Sequence, residues 1–254
     1  MNPLRNRLAI FFILICFVGA LCSCAHKSGH GAKPESKHTF HQDGESKQES
    51  VSQKQATEVV EVKSHGKELD GATIFSKYNS AVFMVFTTDG KNTYQGSGFF
   101  VNSEGLAISN YHVFKGTDIG AEAIKLSNSD VVYSVKEVLQ RSDDEDFILF
   151  TVNCNHTNFI PIAASKPRVG DKVYAIGSPH GLENTFSSGE VSQWRDKNLM
   201  QISALIDHGS SGGALINQYG ELVGITSGTF AEGSQANLNY AWSIDAVKPY
   251  LKIK

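Results

Sequence analysis

Gly96-Ser97-Gly98-Phe99-Phe100-Val101, then Gly105-Leu106-Ala107-Ile108-Ser109-Asn110-Tyr111-His112-Val113-Phe114, reads as two apolar strands joined by a short turn and ending on a histidine. Such a pair delivers an imidazole at the end of a rigid element. Working outward, the same texture recurs from about Ala72 onward. Short β-branched and aromatic runs alternate with Gly, Asn, Asp and Ser. Candidate strands are Ala81–Thr87, Gly96–Val101, Leu106–Ser109, Val131–Leu139, Phe147–Val152, Lys172–Gly177, Leu199–Ser203, Ala214–Ile216, Leu222–Thr226 and Tyr240–Ser243. Many short strands with little helical periodicity predict an all-β sandwich or barrel pair. Helix is expected only at the edges, one starting near Ile74 and a short one closing the chain from about Asp245.

Two further stretches carry chemistry. In Asp207-His208-Gly209-Ser210-Ser211-Gly212-Gly213-Ala214-Leu215, three glycines flank a serine and an apolar strand follows. Glycine reaches backbone angles that Cβ-bearing residues resist. Acyl transfer needs that freedom, because two backbone N–H groups must converge beside a nucleophile to hold an oxyanion. Gly209 and Ser211 are placed to supply them. By itself the stretch reads equally well as a flexible loop. Asp143-Asp144-Glu145-Asp146-Phe147-Ile148-Leu149-Phe150 opens an apolar strand with an acid. Asp146 can sit partly buried there and accept a hydrogen bond from an imidazole, while Asp143, Asp144 and Glu145 read as a solvated turn.

The order His112, Asp146, Ser211 with these local motifs resembles the trypsin-like serine proteases, and most nearly the protease domain of the bacterial HtrA family. Asn110-Tyr111-His112-Val113, Asp146-Phe147-Ile148-Leu149 and Gly209-Ser210-Ser211-Gly212-Gly213 resemble the three catalytic motifs of that family in order. Ala175-Ile176-Gly177-Ser178-Pro179-His180-Gly181-Leu182, Ser188-Gly189-Glu190-Val191-Ser192 and Tyr240-Ala241-Trp242-Ser243-Ile244 resemble supporting segments, so the resemblance spans roughly residues 72–252. It implies two antiparallel six-stranded β-barrels, with His112 and Asp146 on the first and Ser211 on the second. It also implies a serine endopeptidase that acts on protein or peptide substrates and needs neither metal nor organic cofactor. Ser211 would be nucleophile, His112 the base and then acid, and Asp146 the orienting carboxylate, with an oxyanion hole from the Gly209 and Ser211 N–H groups.

Departures from the family pattern qualify what the resemblance carries. Asp207-His208 stands where Asn-Pro is usual, and Ala214 where Pro is common. Ser210 stands where a zymogen-type activation needs an acid. Leu205, six residues before Ser211, is the expected floor of the S1 pocket, with Ser227 and Gly228 as its wall. No acid sits there, so small or medium aliphatic P1 side chains are expected. No PDZ-like segment follows the closing strand and helix. Unchanged His112, Asp146 and Ser211 argue for activity. The alternative is a non-catalytic surface lipoprotein that keeps the fold as a binding module.

The remaining sequence concerns location. Arg5 and Arg7 precede an uncharged apolar run from Leu8 to Cys22, the layout of an export signal. Fifteen residues is shorter than the ~20 that a membrane span needs. Leu21-Cys22-Ser23-Cys24 resembles a bacterial lipobox, which makes residues 1–23 a lipoprotein signal peptide and Cys24 the lipidated residue. An ordinary cleavage at Ser23-x-Ala25 and an uncleaved signal anchor are the competing readings. Residues 24–70 are rich in Ser, Lys, Glu, Gln, Gly and His, with few large apolar side chains, and read as a disordered polar tether. Residues 71–254 form the protease domain. The expected product is an exported bacterial lipoprotein facing the periplasm or cell surface, whose oligomeric state the sequence leaves open. Of four cysteines, only Cys154 falls in the domain, so no disulfide is expected there, and Cys154 reads as a small core residue rather than a nucleophile. A formal net charge of −3 with no basic patch excludes a nucleic-acid footprint.

Overall fold

A computed structural model describes residues 59–253 except 64, 118–119, 128, 183 and 230–237. The predicted signal segment, Cys24 and the first part of the tether lie outside the described residues. Strands β1 (Val59–Val60) and β2 (Val62–Lys63) precede α1 (Gly71–Tyr78). There follow β3 (Val82–Thr88), β4 (Thr93–Phe100), β5 (Leu106–Ser109), β6 (Ala123–Leu126), β7 (Val132–Tyr133), β8 (Val135–Ser142) and β9 (Phe147–Val152). After a short β10 (Ile162–Ala163) come β11 (Lys172–Gly177), β12 (Thr185–Trp194), β13 (Leu199–Ile202), β14 (Ala214–Asn217), β15 (Leu222–Thr229), β16 (Asn239–Ser243) and β17 (Lys252–Ile253). Among the described residues no helix is long and apolar enough to cross a membrane.

The all-β double-barrel expectation holds. The second sheet runs β14-β11-β12-β13-β16-β15 and closes through a β14–β15 pairing, making six strands around one core. The first runs β7-β6-β3-β4-β5-β9-β8. Its two edges are consecutive in the chain and separated only by Ser134, so residues 132–142 act as one bent strand that pairs with β6 and then with β9. The sheet thereby returns on itself with six strands by chain count.

Burial explains why several strands are apolar at every position. Ile148 and Phe150 face the interior of the first barrel with Phe83, Phe100 and Ile124. Phe147 and Leu149, on the other face of the same strand, join Val82, Phe99, Ile108, Ile176, Ala214, Ile216 and Ile225 in a third core between the barrels. Alternate side chains of a strand point to opposite faces, so a strand shared by two cores needs an unbroken apolar run. Val173, Met200, Ile202, Leu215, Val223 and Ala241 fill the second barrel.

Helix α1 starts where expected, capped by Asp70, whose carboxylate accepts from Thr73 N–H at 2.7 Å, with Ile74 and Tyr78 buried one turn apart. The closing helix expected from Asp245 is instead two three-residue 3-10 turns, Ile244–Ala246 and Lys248–Tyr250. Pro249 has no N–H to give and its ring disfavours the preceding turn, so an α-helix cannot propagate there. Strand pairing begins at Val59, within the segment assigned to the tether: β1 pairs parallel with β17 and β2 with β10. Val60, 1% exposed, supplies the apolar anchor that the segment's polar composition conceals.

Cys154 follows β9, half-buried and without a disulfide partner among the described residues. Burial pushes its thiol up to about 11. At pH 8 only ~0.1% is then thiolate, and alkylation by iodoacetamide should run ~100-fold slower than at an exposed cysteine. Peptide mapping after timed alkylation checks this, and rapid modification of Cys154 in the folded protein contradicts it.

Candidate active site

The seam between the barrels ends at Asp146, His112 and Ser211. Asp146 stands one residue before β9, and His112 lies in the turn Tyr111–Val113 that follows β5. Adjacent antiparallel strands β5 and β9 pair Ser109 with Ile148, which brings their ends together. Asp146 adopts φ +43°, an uncommon angle for a residue with a side chain. Its backbone carbonyl accepts from Asn110 Nδ2 at 2.8 Å, which helps to hold that conformation.

The carboxylate of Asp146 is fully engaged. Oδ1 accepts from the His112 backbone N–H at 2.9 Å, and Oδ2 lies 2.8 Å from His112 Nδ1. Oδ2 also accepts from Ser227 Oγ at 2.8 Å. Asp146 is 16% exposed and His112 47%, so the acid is sheltered while the imidazole's outer edge faces solvent. With Nδ1 donating to a carboxylate, the neutral ring keeps Nε2 as a free acceptor.

Ser211 opens the turn into β14. Its carbonyl accepts from Ser97 N–H at 2.8 Å, which ties the turn to β4 of the first barrel. Its hydroxyl reaches the Ser227 carbonyl at 3.5 Å, the outer limit of a hydrogen bond. No bond from Ser211 Oγ to His112 occurs among the described residues. Bonds of this kind are often loose before substrate binds.

The turn preceding Ser211 is held from three sides. The Gly209 carbonyl accepts from Ser97 Oγ at 2.7 Å, and the His208 carbonyl accepts from His180 N–H at 2.8 Å. Gln95 Nε2 donates to Gly209 O at 3.5 Å and to Ser178 O at 2.8 Å, while its Oε1 accepts from Gly181 N–H at 3.1 Å. Among the described residues neither the Gly209 nor the Ser211 N–H meets a hydrogen-bond acceptor, as donors for a developing oxyanion require. Gly209 sits at φ +92°, where an added Cβ would lie 2.3 Å from Gln95 Oε1. Gly212 sits at φ +85°, and its Cβ would lie 2.2 Å from Ser97 O. Two of the motif's glycines therefore have concrete steric reasons. Asp207 is held below the usual carboxylate range by hydrogen bonds from His208 N–H and from the His180 imidazole, 3.1 Å away.

Leu205 is 67% exposed and lines a cavity of about 360 Å3 with Pro179, Leu182, Phe186, Ile206 and Ser210. The hydroxyl of Ser227 donates to Asp146. Gly228 does border the nucleophile, since a Cβ there would lie 3.6 Å from Ser211 Oγ. No group of three or more metal-ligating side chains occurs among the described residues.

This geometry has a counterpart in known proteins, because residues 96–225 match the family described as the trypsin-like peptidase domain. The chain belongs to that family. It is 34% identical over 165 residues to the "Probable serine protease do-like" of Buchnera aphidicola, covering 60% of this chain and 34% of that protein. It is 33% identical over 173 residues to serine endoprotease DegS of Haemophilus influenzae, covering 62% and 49%. The chain thus spans a third to a half of the length of these relatives. Its fold is shared with the crystal structure of the serine endoprotease from Yersinia pestis, at a TM-score of 0.63 and 24% identity, covering 72% of this chain and 66% of that one. The match to the trypsin-like family encloses His112, Asp146 and Ser211 together.

Proposed function

We propose that the protein is an exported, membrane-tethered serine endopeptidase that hydrolyses peptide bonds through an acyl-enzyme. The observation that carries this is the Asp146 carboxylate, which accepts from His112 at both Nδ1 and the backbone N–H and also from Ser227 Oγ. That arrangement fixes one imidazole tautomer and leaves Nε2 as the base. In the first step Ser211 Oγ attacks the scissile carbonyl as its proton passes to His112 Nε2. The imidazolium so formed is stabilised by Asp146, and the oxyanion is received by the Gly209 and Ser211 N–H groups. His112 returns the proton to the leaving amine. Water then repeats the cycle on the acyl-enzyme and restores the free serine.

Labelling with a fluorophosphonate tests this reading. The wild-type protein should label, and Ser211→Ala should not. A folded wild-type protein that never labels favours the non-catalytic binding module instead.

Gly212→Ala tests the turn itself. The new Cβ cannot coexist with Ser97 O and Ser109 Oγ, 2.2 and 2.4 Å away, without moving the loop. A displacement of ~1 Å at a reacting group costs ~100-fold in rate, so labelling should slow by at least that much.

The membrane anchor is proposed from the lipobox-like Leu21-Cys22-Ser23-Cys24 and the polar segment that follows. An acylated Cys24 with more than one chain would anchor the protein stably. Metabolic labelling with a palmitate analogue should be lost in Cys24→Ser, and persistence of the label in that variant refutes the anchor.

A further inference from the structure

We propose that Gln95 is a positioning residue for the oxyanion hole: its amide clamps the turn 178–181, and through that turn it fixes the direction of the Gly209 N–H. The inference rests on the endopeptidase reading above.

Gln95 lies in β4 of the first barrel, and its side chain reaches two loops of the second. Nε2 donates to Ser178 O at 2.8 Å, to its neighbour Gly96 O at 3.1 Å and to Gly209 O at 3.5 Å. Oε1 accepts from Gly181 N–H at 3.1 Å. The amide therefore grips the turn at both ends, by a carbonyl at one and by an N–H at the other. That requires a donor and an acceptor on one planar group, which an amide side chain offers. The turn needs the support. His180 sits at φ +52° and Gly181 at φ +71°, and such angles are uncommon for a residue with a side chain.

His180 lies between the two clamped ends, and its backbone N–H donates to His208 O at 2.8 Å. His208 O and the Gly209 N–H belong to one peptide group. That group is planar and trans, so its C=O and N–H point in opposite directions. A bond that holds the carbonyl thus also sets the direction of the N–H that must meet the oxyanion. The next peptide group is held at both atoms, since Gly209 O accepts from Ser97 Oγ at 2.7 Å and Ser210 N–H donates to Asp207 O at 2.9 Å. The 208–209 group is held, among the described residues, through His208 O. Gly209 itself resists rotation little, because glycine adopts either sign of φ readily. The His180 imidazole also faces Asp207 Oδ2 at 3.1 Å, but both side chains are well exposed, and such a surface pair restrains little.

None of the Gln95 bonds involves His112, Asp146 or Ser211. Loss of the clamp should therefore leave the base and the nucleophile in place and weaken only the stabilisation of the transition state.

Gln95→Leu, Gln95→Met and Gln95→Glu in the full chain test this. Leu and Met keep much of the volume and lose the amide. Glu keeps the acceptor but turns a second oxygen toward the Ser178 carbonyl. Each should lower kcat on a peptide substrate by about 100-fold, the order seen when an oxyanion donor is lost. KM should stay within about three-fold of wild type, since the lost interaction is made in the transition state. Protection of the His180 amide against hydrogen exchange should fall about ten-fold in each variant, as local opening becomes easier. Wild-type kcat in Gln95→Met overturns the proposal, because packing alone then suffices. A raised KM with unchanged kcat overturns it too, as does His180 protection that survives in Gln95→Leu. A folded wild type without turnover removes the endopeptidase reading instead, and the exchange measurement, which needs no turnover, still decides whether Gln95 holds the turn.

Discussion

Ser211→Ala is expected to lower kcat on a peptide substrate by about 10^6-fold, the order found when a triad nucleophile is removed, with the folded structure intact. Both halves of that expectation follow from the contacts. Chemically, no other hydroxyl stands ready to replace Ser211. Ser227 Oγ, bonded to the same carboxylate as His112, donates to Asp146 at 2.8 Å and is held there. Structurally, the Ser211 hydroxyl makes only a 3.5 Å contact with the Ser227 carbonyl among the described residues, so its removal forfeits almost nothing. The loop stays fixed by backbone bonds, Ser97 N–H to Ser211 O and Gly212 N–H to Thr226 O, each 2.8 Å. The change in stability should stay within ~0.5 kcal/mol, as for substitutions away from tight contacts. Thermal denaturation and steady-state turnover read the two halves separately. Residual turnover within a hundred-fold of wild type contradicts Ser211 as the nucleophile.

Asp146→Asn is the second large effect. The carboxylate is acceptor-only and meets three donors. An amide in its place offers one acceptor and one donor group. If the amide oxygen faces the His112 backbone N–H, the NH2 faces Nδ1 and Ser227 Oγ. Nδ1 must then accept, the ring proton moves to Nε2, and His112 can no longer take the Ser211 proton. If the amide is reversed, its NH2 opposes the backbone N–H of His112 and the turn is strained. The first arrangement costs the base and the second the turn that positions it, and kcat should fall by ~10^4-fold, the order expected when a triad histidine is held in the wrong tautomer. Binding of a substrate-like inhibitor should change much less, since Asp146 is 16% exposed and lies behind His112. A loss smaller than ten-fold removes Asp146 from the mechanism.

The parts of the molecule that were legible in its sequence are those whose information is local. Phe147-Ile148-Leu149-Phe150 declares a doubly buried strand by being apolar at every position. Gly209 and Gly212 announce a tight turn because only glycine fits at those angles and distances. Strand β12, in contrast, escaped notice. Thr185–Trp194 is polar along most of its length and buries only Val191 fully. Its strand identity comes from pairing with β11 on one side and β13 on the other, which no local alternation records. β6 escaped for a similar reason, as a four-residue strand flanked by loops with a single fully buried side chain, Ile124.

By itself the sequence determined an all-β chain whose His112, Asp146 and Ser211 motifs fall in one order, each read within a few residues of itself. Only the tertiary structure decided which distant groups meet. Ser227 reaches Asp146 across 81 residues of sequence, and His65 reaches Glu221 across 156. The physical reason is that strand and turn preferences act over neighbouring residues, whereas a hydrogen bond to a sheltered carboxylate exists only after the barrels have closed and brought distant strands within 3 Å of each other.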